Sequence, residues 1–422
     1  MPAGQTRALS PEAFLATYVP ALTLALGAGM AVPAVPSLAR SFHVSFGVAT
    51  GVVTAFLLGN LVGTLPAGWL IDRIGARRVL ILGPVLTAVV AFLVATAGSF
   101  PELLVLRFFN GCAAQTWIMA RLATVSYSAA PDQRGRQVSW MFGMDNTGKL
   151  TGPVLGGFLV AEWGVRAPFV AYGALALATL VPMFAFARRI PDELGSAGRT
   201  AGRRRLPLRG IVLPRLAYFG VALFAGLTRG PISADLLHLY AAFAYHLSAK
   251  EIGYLATAAA ALSLPIGFLS GWLMDRFGRR RTMVPGFTAV MITMVGLAVS
   301  AFAHLSLVWY VAVFLLAAAG QALTSGSIQT VGADVAPESG RGVFLGIWRF
   351  TGQAGTSVSP TIFALLAVQV GYGASFLFTA CSAAVVALLL VRYVPEVGFA
   401  TADEEEGIED AAAASAGPSG AV

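Results

Sequence analysis

Residues 68–78 read GWLIDRIGARR, and residues 271–281 read GWLMDRFGRRR. Each stretch closes a long apolar run with Gly-Trp, an Asp-Arg pair, a further glycine and a cluster of arginines. The two lie 203 residues apart, close to half of the 422-residue chain. A second pair of loops repeats the relation, APDQRGR at 130–136 and APESGRG at 336–342. Two matched loops at similar offsets read as an internal duplication, and duplicated hydrophobic halves mark helical membrane folds.

Composition agrees. The chain is 57% hydrophobic and 11% charged, against about 25% charged residues in soluble domains. So few charges cannot cover a water-soluble body of this length, and the excess apolar surface must face lipid. A membrane-crossing helix needs roughly 20 apolar residues. Twelve such spans are placed at 13–37, 49–71, 78–97, 102–127, 138–161 and 167–187, then at 215–243, 250–274, 282–303, 306–331, 342–369 and 373–393. The predicted fold is therefore an all-α membrane protein, twelve transmembrane helices in two six-helix bundles with pseudo-two-fold symmetry. The first bundle is 1–187 and the second 215–395. Residues 188–214 between them are polar, Gly-rich and basic, as a cytoplasmic linker would be. The tail 396–422 is acidic and then rich in Ala, Gly and Ser, the composition of a disordered segment. Ser10-Pro11-Glu12 reads as a helix start. The first apolar run is too long for the core of a cleavable signal.

The net charge of +8 is spread in short basic clusters between apolar runs. Such clusters are topology signals, and no nucleic-acid partner is expected. With the N-terminus inside, the cytoplasmic segments hold 20 of the 28 basic residues. The external segments hold three, Arg40, Arg166 and Lys250, and five lie within spans. Both termini are placed in the cytoplasm, with the chain multi-pass in the cell (plasma or inner) membrane. Cys112 and Cys381 sit in apolar runs of opposite halves and read as packing residues. There is no metal spacing, nucleotide-binding loop or catalytic triad, so no cofactor and no enzyme chemistry are expected.

The doubled loop resembles the signature of the major facilitator superfamily between spans two and three. Gly68, Asp72, Arg73, Gly75, Arg77 and Arg78 match it, and Gly271, Asp275, Arg276, Gly278, Arg279 and Arg280 match its echo. The resemblance covers nearly the whole chain. It implies a latch at the cytoplasmic end, made in the outward-facing state and broken as the halves rock; Arg279 and Arg281 are read as topology markers only. Arg107-Phe-Phe-Asn-Gly111-Cys-Ala113-Ala114 resembles the motif of proton-coupled members. Gly148-Lys-Leu-Thr-Gly152-Pro153-Val-Leu-Gly156-Gly157 resembles the motif of antiporters, with Ser139 where the longer pattern has a glycine. Small residues at that spacing give a flat face for close helix packing. The resemblance as a whole is to the drug/proton antiporter-like subgroup. It is incomplete in the first span, which lacks the acid that some cation-exporting relatives carry.

An ionisable residue at mid-membrane costs roughly 2.5–3.5 kcal/mol, so each one within a span marks a functional candidate. The first half supplies Arg107, Arg121, Asp145 and Lys149, and the second Arg229, Asp235, His238 and Arg349. Spans four and five form a hairpin turning near Asp132, which puts Arg121 and Asp145 at similar depth as a predicted pair. Lys149 lies one turn from Asp145 on the same face. Asp145 is the expected proton carrier. With an offset of 204, Arg349 falls at the repeat position of Asp145, flanked by Trp348 and Gln353. Gln115, Trp117 and Met119 are further candidates for the walls of a site. Gly230-Pro231 predicts a kink in span seven, with Asp235 and His238 facing the outer side. Five basic against two acidic residues within the spans leave a surplus of three positive charges, which favours an organic anion. The expected function is secondary active, proton-coupled export of an anionic or amphipathic small molecule, the chain acting as a monomer with lipids as its other contacts. The rivals are an exporter of cationic or neutral lipophilic drugs and a non-transporting sensor or scaffold.

Overall fold

The computed structural model describes residues 11–128, 134–186, 215–233, 235–324, 327–337 and 341–394. The predicted linker, the tail, Ser10 and the turn at Asp132 lie outside them. Among the described residues, fifteen helices make up the twelve expected spans. Six segments belong to the first half: α1 (Pro11–Ser41), α2 (Phe46–Ile74), α3 (Ala76–Thr96), α4 (Phe100–Ser128), α5 (Arg134–Trp163), and α6 (Ala167–Ala178) continued by α7 (Leu180–Phe186). The second half has span seven split into α8 (Leu216–Ser233) and α9 (Leu236–Ala244). Then come α10 (Ala249–Phe277), α11 (Arg279–Phe302), α12 (Leu307–Leu323) with α13 (Ser327–Asp334), α14 (Arg341–Gln369) and α15 (Tyr372–Tyr393).

Among the described residues, nine helical segments are long and apolar enough to cross a membrane by themselves. Span seven is broken into two shorter helices, and spans five and eleven are rich in polar residues, Asp145, Asn146 and Lys149 in the one and Arg349, Gln353 and a run of Gly, Ser and Thr in the other. Polar residues in a membrane helix are tolerated where they face the bundle interior.

The duplication extends to single dihedral angles. His43 and His246 both have φ 55, and each is followed two residues later by an extended serine, Ser45 or Ser248, that starts a 29-residue helix. Gly75 (φ 90) and Gly278 (φ 85) join those helices to the next in conformations that L side chains avoid. The repeat shifts in register further along. Gly164 (φ 87) and Gly371 (φ 123), 207 residues apart, end α5 and α14. Pro153 and Pro360 share that spacing. This corrects the offset of 204: Asp145 corresponds to Gly352, and Arg349 to Phe142. The cause is a difference in length of the preceding segments, which a fixed offset cannot see.

Small residues set how closely the helices pack. A Cβ on Gly148, Gly152 or Gly156 would strike the backbone of Leu26, Gly29 or Met30 in α1. The second half uses glycine on both partners, Gly226 and Gly230 of α8 against Gly352, Gly355 and Ser359 of α14.

Among the described residues, the halves meet at the arginine-poor end and towards mid-membrane. At the end poor in arginine, Arg40 donates to the carbonyl oxygens of Ala242 (3.1 Å) and Leu247 (2.9 Å). There Lys250 pairs with Glu162 at 3.1 Å. Phe46 sits edge-on to Phe243 and Tyr372, with ring centroids 5.8 and 4.9 Å apart. Towards mid-membrane, Thr257 donates to the Leu150 carbonyl and Ser357 to that of Leu57. At the arginine-rich end, a Cβ on Gly68, Gly143, Gly271 or Gly346 would meet nothing within 4 Å. Trp69 and Trp272 are exposed there. A cleft therefore opens between the halves towards the arginine-rich end.

Candidate functional site

The hairpin of α4 and α5 brings Arg121 and Asp145 together as the depth argument predicts. The guanidinium donates two parallel hydrogen bonds to the carboxylate, at 2.8 and 2.6 Å. Arg121 is 1% exposed and its side chain lies over the Trp117 ring, 5.5 Å from its centroid. Two-pronged pairing of this kind fixes geometry as well as charge. Removing either partner would leave the other charge stranded in a low-dielectric interior.

Lys149, one turn along α5, is solvent-accessible. It shares the face of Pro153 and Gly157, which further along close on α10. It therefore stands where the halves part, within electrostatic range of Asp145, Arg121, Arg229 and Asp235. Arg229 and Arg349 are also accessible. Arg349 shares a helical face with Gln353 and Ser357, and Ser357 bonds α2 of the other half. None of Lys149, Arg229 and Arg349 has a hydrogen bond or contact ion pair among the described residues. Gln115 and Gln353 are partly buried.

Arg107 is different. It is buried, donates to the Asn110 side-chain oxygen at 3.0 Å and lies over the Phe56 ring at 4.6 Å. Its remaining Nε hydrogen has no partner. Asp235 lies beside His238, whose Nδ1 is 3.6 Å from its carboxylate, at the break in span seven. Pro231 stays inside α8, which runs to Ser233, and the chain turns at Asp235 in a left-handed conformation (φ 59). His238 packs edge-on against Phe314.

Two other candidates move. Trp348 is 1% exposed and packs between Phe219 and Phe344 in the core of the second half, away from the cleft. Trp117 is likewise buried, among the core of the first half. In each case the ring is packed into the core of its own half.

Asp72 and Arg73 are exposed, and Asp72 has no partner among the described residues. Arg73 lies over Trp69 at 5.0 Å and Arg276 over Trp272 at 5.3 Å, the same pairing in both halves. Arg78 is exposed and Arg77 partly buried, and the Asp275 side chain lies outside the described set. Arg279, read as a topology marker, instead pairs with Asp334 at the end of α13 and donates to the Thr330 carbonyl. It ties α11 to span ten within its own half.

The sequence reading passed over the contacts that close the arginine-poor end. Their signal was present: Arg40 and Lys250 are two of only three basic residues on that side, and each reaches across to the other half.

Comparison with known proteins agrees with this architecture. The model of the Major Facilitator Superfamily matches the chain twice, over residues 21–229 and 216–417. The class B tetracycline resistance protein of Escherichia coli is 24% identical across 81% of this chain and 85% of its own length. A protein described as a nitrate/nitrite antiporter in Thermus thermophilus is 31% identical, over 54% of this chain and 53% of that one. The crystal structure of a D-xylose-proton symporter superposes with a TM-score of 0.75 over 90% of this chain and 97% of that one, at 18% identity. With a duplicated family match covering both six-helix halves and a cleft between them, the chain belongs to the major facilitator superfamily, as a multi-pass secondary active transporter of a small molecule.

Proposed function

We propose that this transporter exports a small organic anion, or an amphipathic molecule with an anionic group, in exchange for protons. One observation carries the reading. Lys149, Arg229 and Arg349 are exposed within the spans with no partner among the described residues, while Asp145 is already held by Arg121. A site with that balance attracts an anion and repels a cation. The nitrate/nitrite antiporter relative is in keeping with an anionic cargo. The tetracycline resistance relative is in keeping with efflux.

By the arginine asymmetry, the arginine-rich end is read as cytoplasmic. The open end of the cleft then faces the cytoplasm, the state in which an exporter loads. Asp145 is the proton carrier in this reading: protonation would neutralise the carboxylate that Arg121 now holds. The latch of Gly68, Asp72, Arg73, Arg77, Arg78, Asp275 and Arg276 would assemble on closure of that end. The rival cargo, a cationic or neutral lipophilic drug, is disfavoured by the same unpaired cations.

The test is flux in vesicles reconstituted with the purified protein. Under an imposed pH gradient, radiolabelled organic anions should move and lipophilic cations should not. Cation flux that depends on Asp145, with anions neither bound nor moved, would overturn the proposal.

A further inference from the structure

Two arginines at the arginine-poor end hold on to the ends of helices. Arg166 donates to the Ala97 carbonyl at 3.0 Å, at the C-terminus of α3 and within its own half. Arg40 does the same across the molecule. It lies in the last turn of α1, and its two terminal nitrogens donate to the carbonyls of Ala242 (3.1 Å) and Leu247 (2.9 Å) in the second half. Ala242 belongs to the last turn of α9, where backbone carbonyls have no partner inside the helix. The negative end of a helix dipole favours a cation. One guanidinium therefore serves two such ends, that of its own helix and that of α9. Without it the two negative ends would meet with no cation between them, and the carbonyls it holds would lose their donors.

The repeat shows that this contact is particular to one half. The left-handed histidines His43 and His246 are 203 residues apart, and the same spacing puts Phe243 at the repeat position of Arg40. Phe243 also crosses to the other half, where its ring is edge-on to the buried Phe46 with centroids 5.8 Å apart. The two related positions thus close the gate with unlike chemistry, a charged hydrogen-bonded contact from the first half and an apolar one from the second. Hydrogen bonds from a charged donor are the stronger and more directional kind, and opening the gate strips both from Arg40 at once. Lys250 and Glu162 make a lesser tie, because Glu162 is exposed and exposed pairs contribute little.

We propose that Arg40 is the bolt of the outer gate: its charge, shared between the C-termini of α1 and α9, holds the halves together at the arginine-poor end, and the carrier turns outward only when both carbonyl bonds let go. The device is the same for any cargo. A guanidinium keeps its charge across the physiological range, so the bolt itself does not respond to the proton gradient, and opening is driven from the cleft.

The experiment places spin labels at Val105→Cys and Val308→Cys in a Cys112→Ser/Cys381→Ser background, and measures their separation by pulsed electron resonance in nanodiscs without substrate. The two sites are related by the same 203-residue spacing, lie near the starts of α4 and α12, and are both exposed. Arg40→Gln, which keeps a donor and loses the charge, should raise the population of long distances about tenfold, since a two-state balance shifts by the lost coupling. Arg40→Lys keeps the charge and should shift it clearly less. Arg166→Gln removes the matching bond inside one half and should leave the distances as in the parent protein, whatever it costs in thermal stability. A parent-like distribution for Arg40→Gln would overturn the proposal. So would an equal shift for Arg166→Gln, which would mean a loosened fold and not an opened gate, or an Arg40→Lys shift as large as that of Arg40→Gln, which would deny the charge its role.

Discussion

The two halves are near copies in their turns and unlike in their cores. At the arginine-poor turn before α2 and α10, the chain repeats a left-handed histidine, an extended serine and a 29-residue helix. At the arginine-rich turn it repeats a positive-φ glycine and a tryptophan under an arginine. Within the bundle the likeness ends. Span one is a single helix from Pro11 to Ser41, while span seven breaks at Asp235. Asp145 is bound by Arg121 in the first half, and its repeat position in the second is Gly352. The lesson is a division of labour. Turns fix the frame on which two bundles rock, and they tolerate little change in either copy. Core side chains choose what is bound, and they differ because one substrate meets both halves at once.

That comparison yields graded expectations. The largest effect belongs to Arg121→Ala, which strands a carboxylate in the first half; unfolding should shift by about 3–5 kcal/mol, as for other broken buried pairs. The Arg121→Ala/Asp145→Ala double variant should recover part of it in a thermal unfolding assay, and no recovery would mean that the pair is not a closed unit. Next is Asp145→Asn, which should abolish flux driven by a pH gradient while leaving substrate counterflow measurable. Unchanged pH-driven flux would remove Asp145 as the proton carrier. Arg349→Ala should weaken binding of organic anions about tenfold, the loss of roughly 1.4 kcal/mol, with neutral solutes hardly affected. Equal loss for both would assign Arg349 to structure.

The turns supply the symmetric control. Gly75→Ala and Gly278→Ala each force a side chain into a left-handed conformation, at about 1–2 kcal/mol. The two costs should agree closely, and unequal melting shifts would break the likeness of the turns. The smallest effect is expected for Lys250→Ala. Its partner Glu162 is 63% exposed, and exposed ion pairs contribute about 0–1 kcal/mol. A melting shift beyond that range would make the pair part of the gate.

The Arg121–Asp145 pair was legible in the sequence because a hairpin fixes depth on both sides of one short turn. The place of Asp235 was not. A Gly-Pro pair announces weakened helix bonding, yet the break falls past the proline, at Asp235, whose backbone is left-handed. Trp348 misled for a related reason. Adjacent residues on a helix point some 100° apart, so nearness to Arg349 in sequence put it in the core and not in the cleft.

The sequence by itself determined the twelve spans, the duplication and the asymmetry of arginine. In lipid each segment must satisfy its own backbone hydrogen bonds, so length and hydropathy decide it locally. Only the tertiary structure decided which end of the cleft is closed, which cations stand without partners, and that α14 aligns with α5 at 207 residues. Those properties depend on the directions of side chains from helices far apart in sequence, and a difference of a few residues in segment length changes which of them meet.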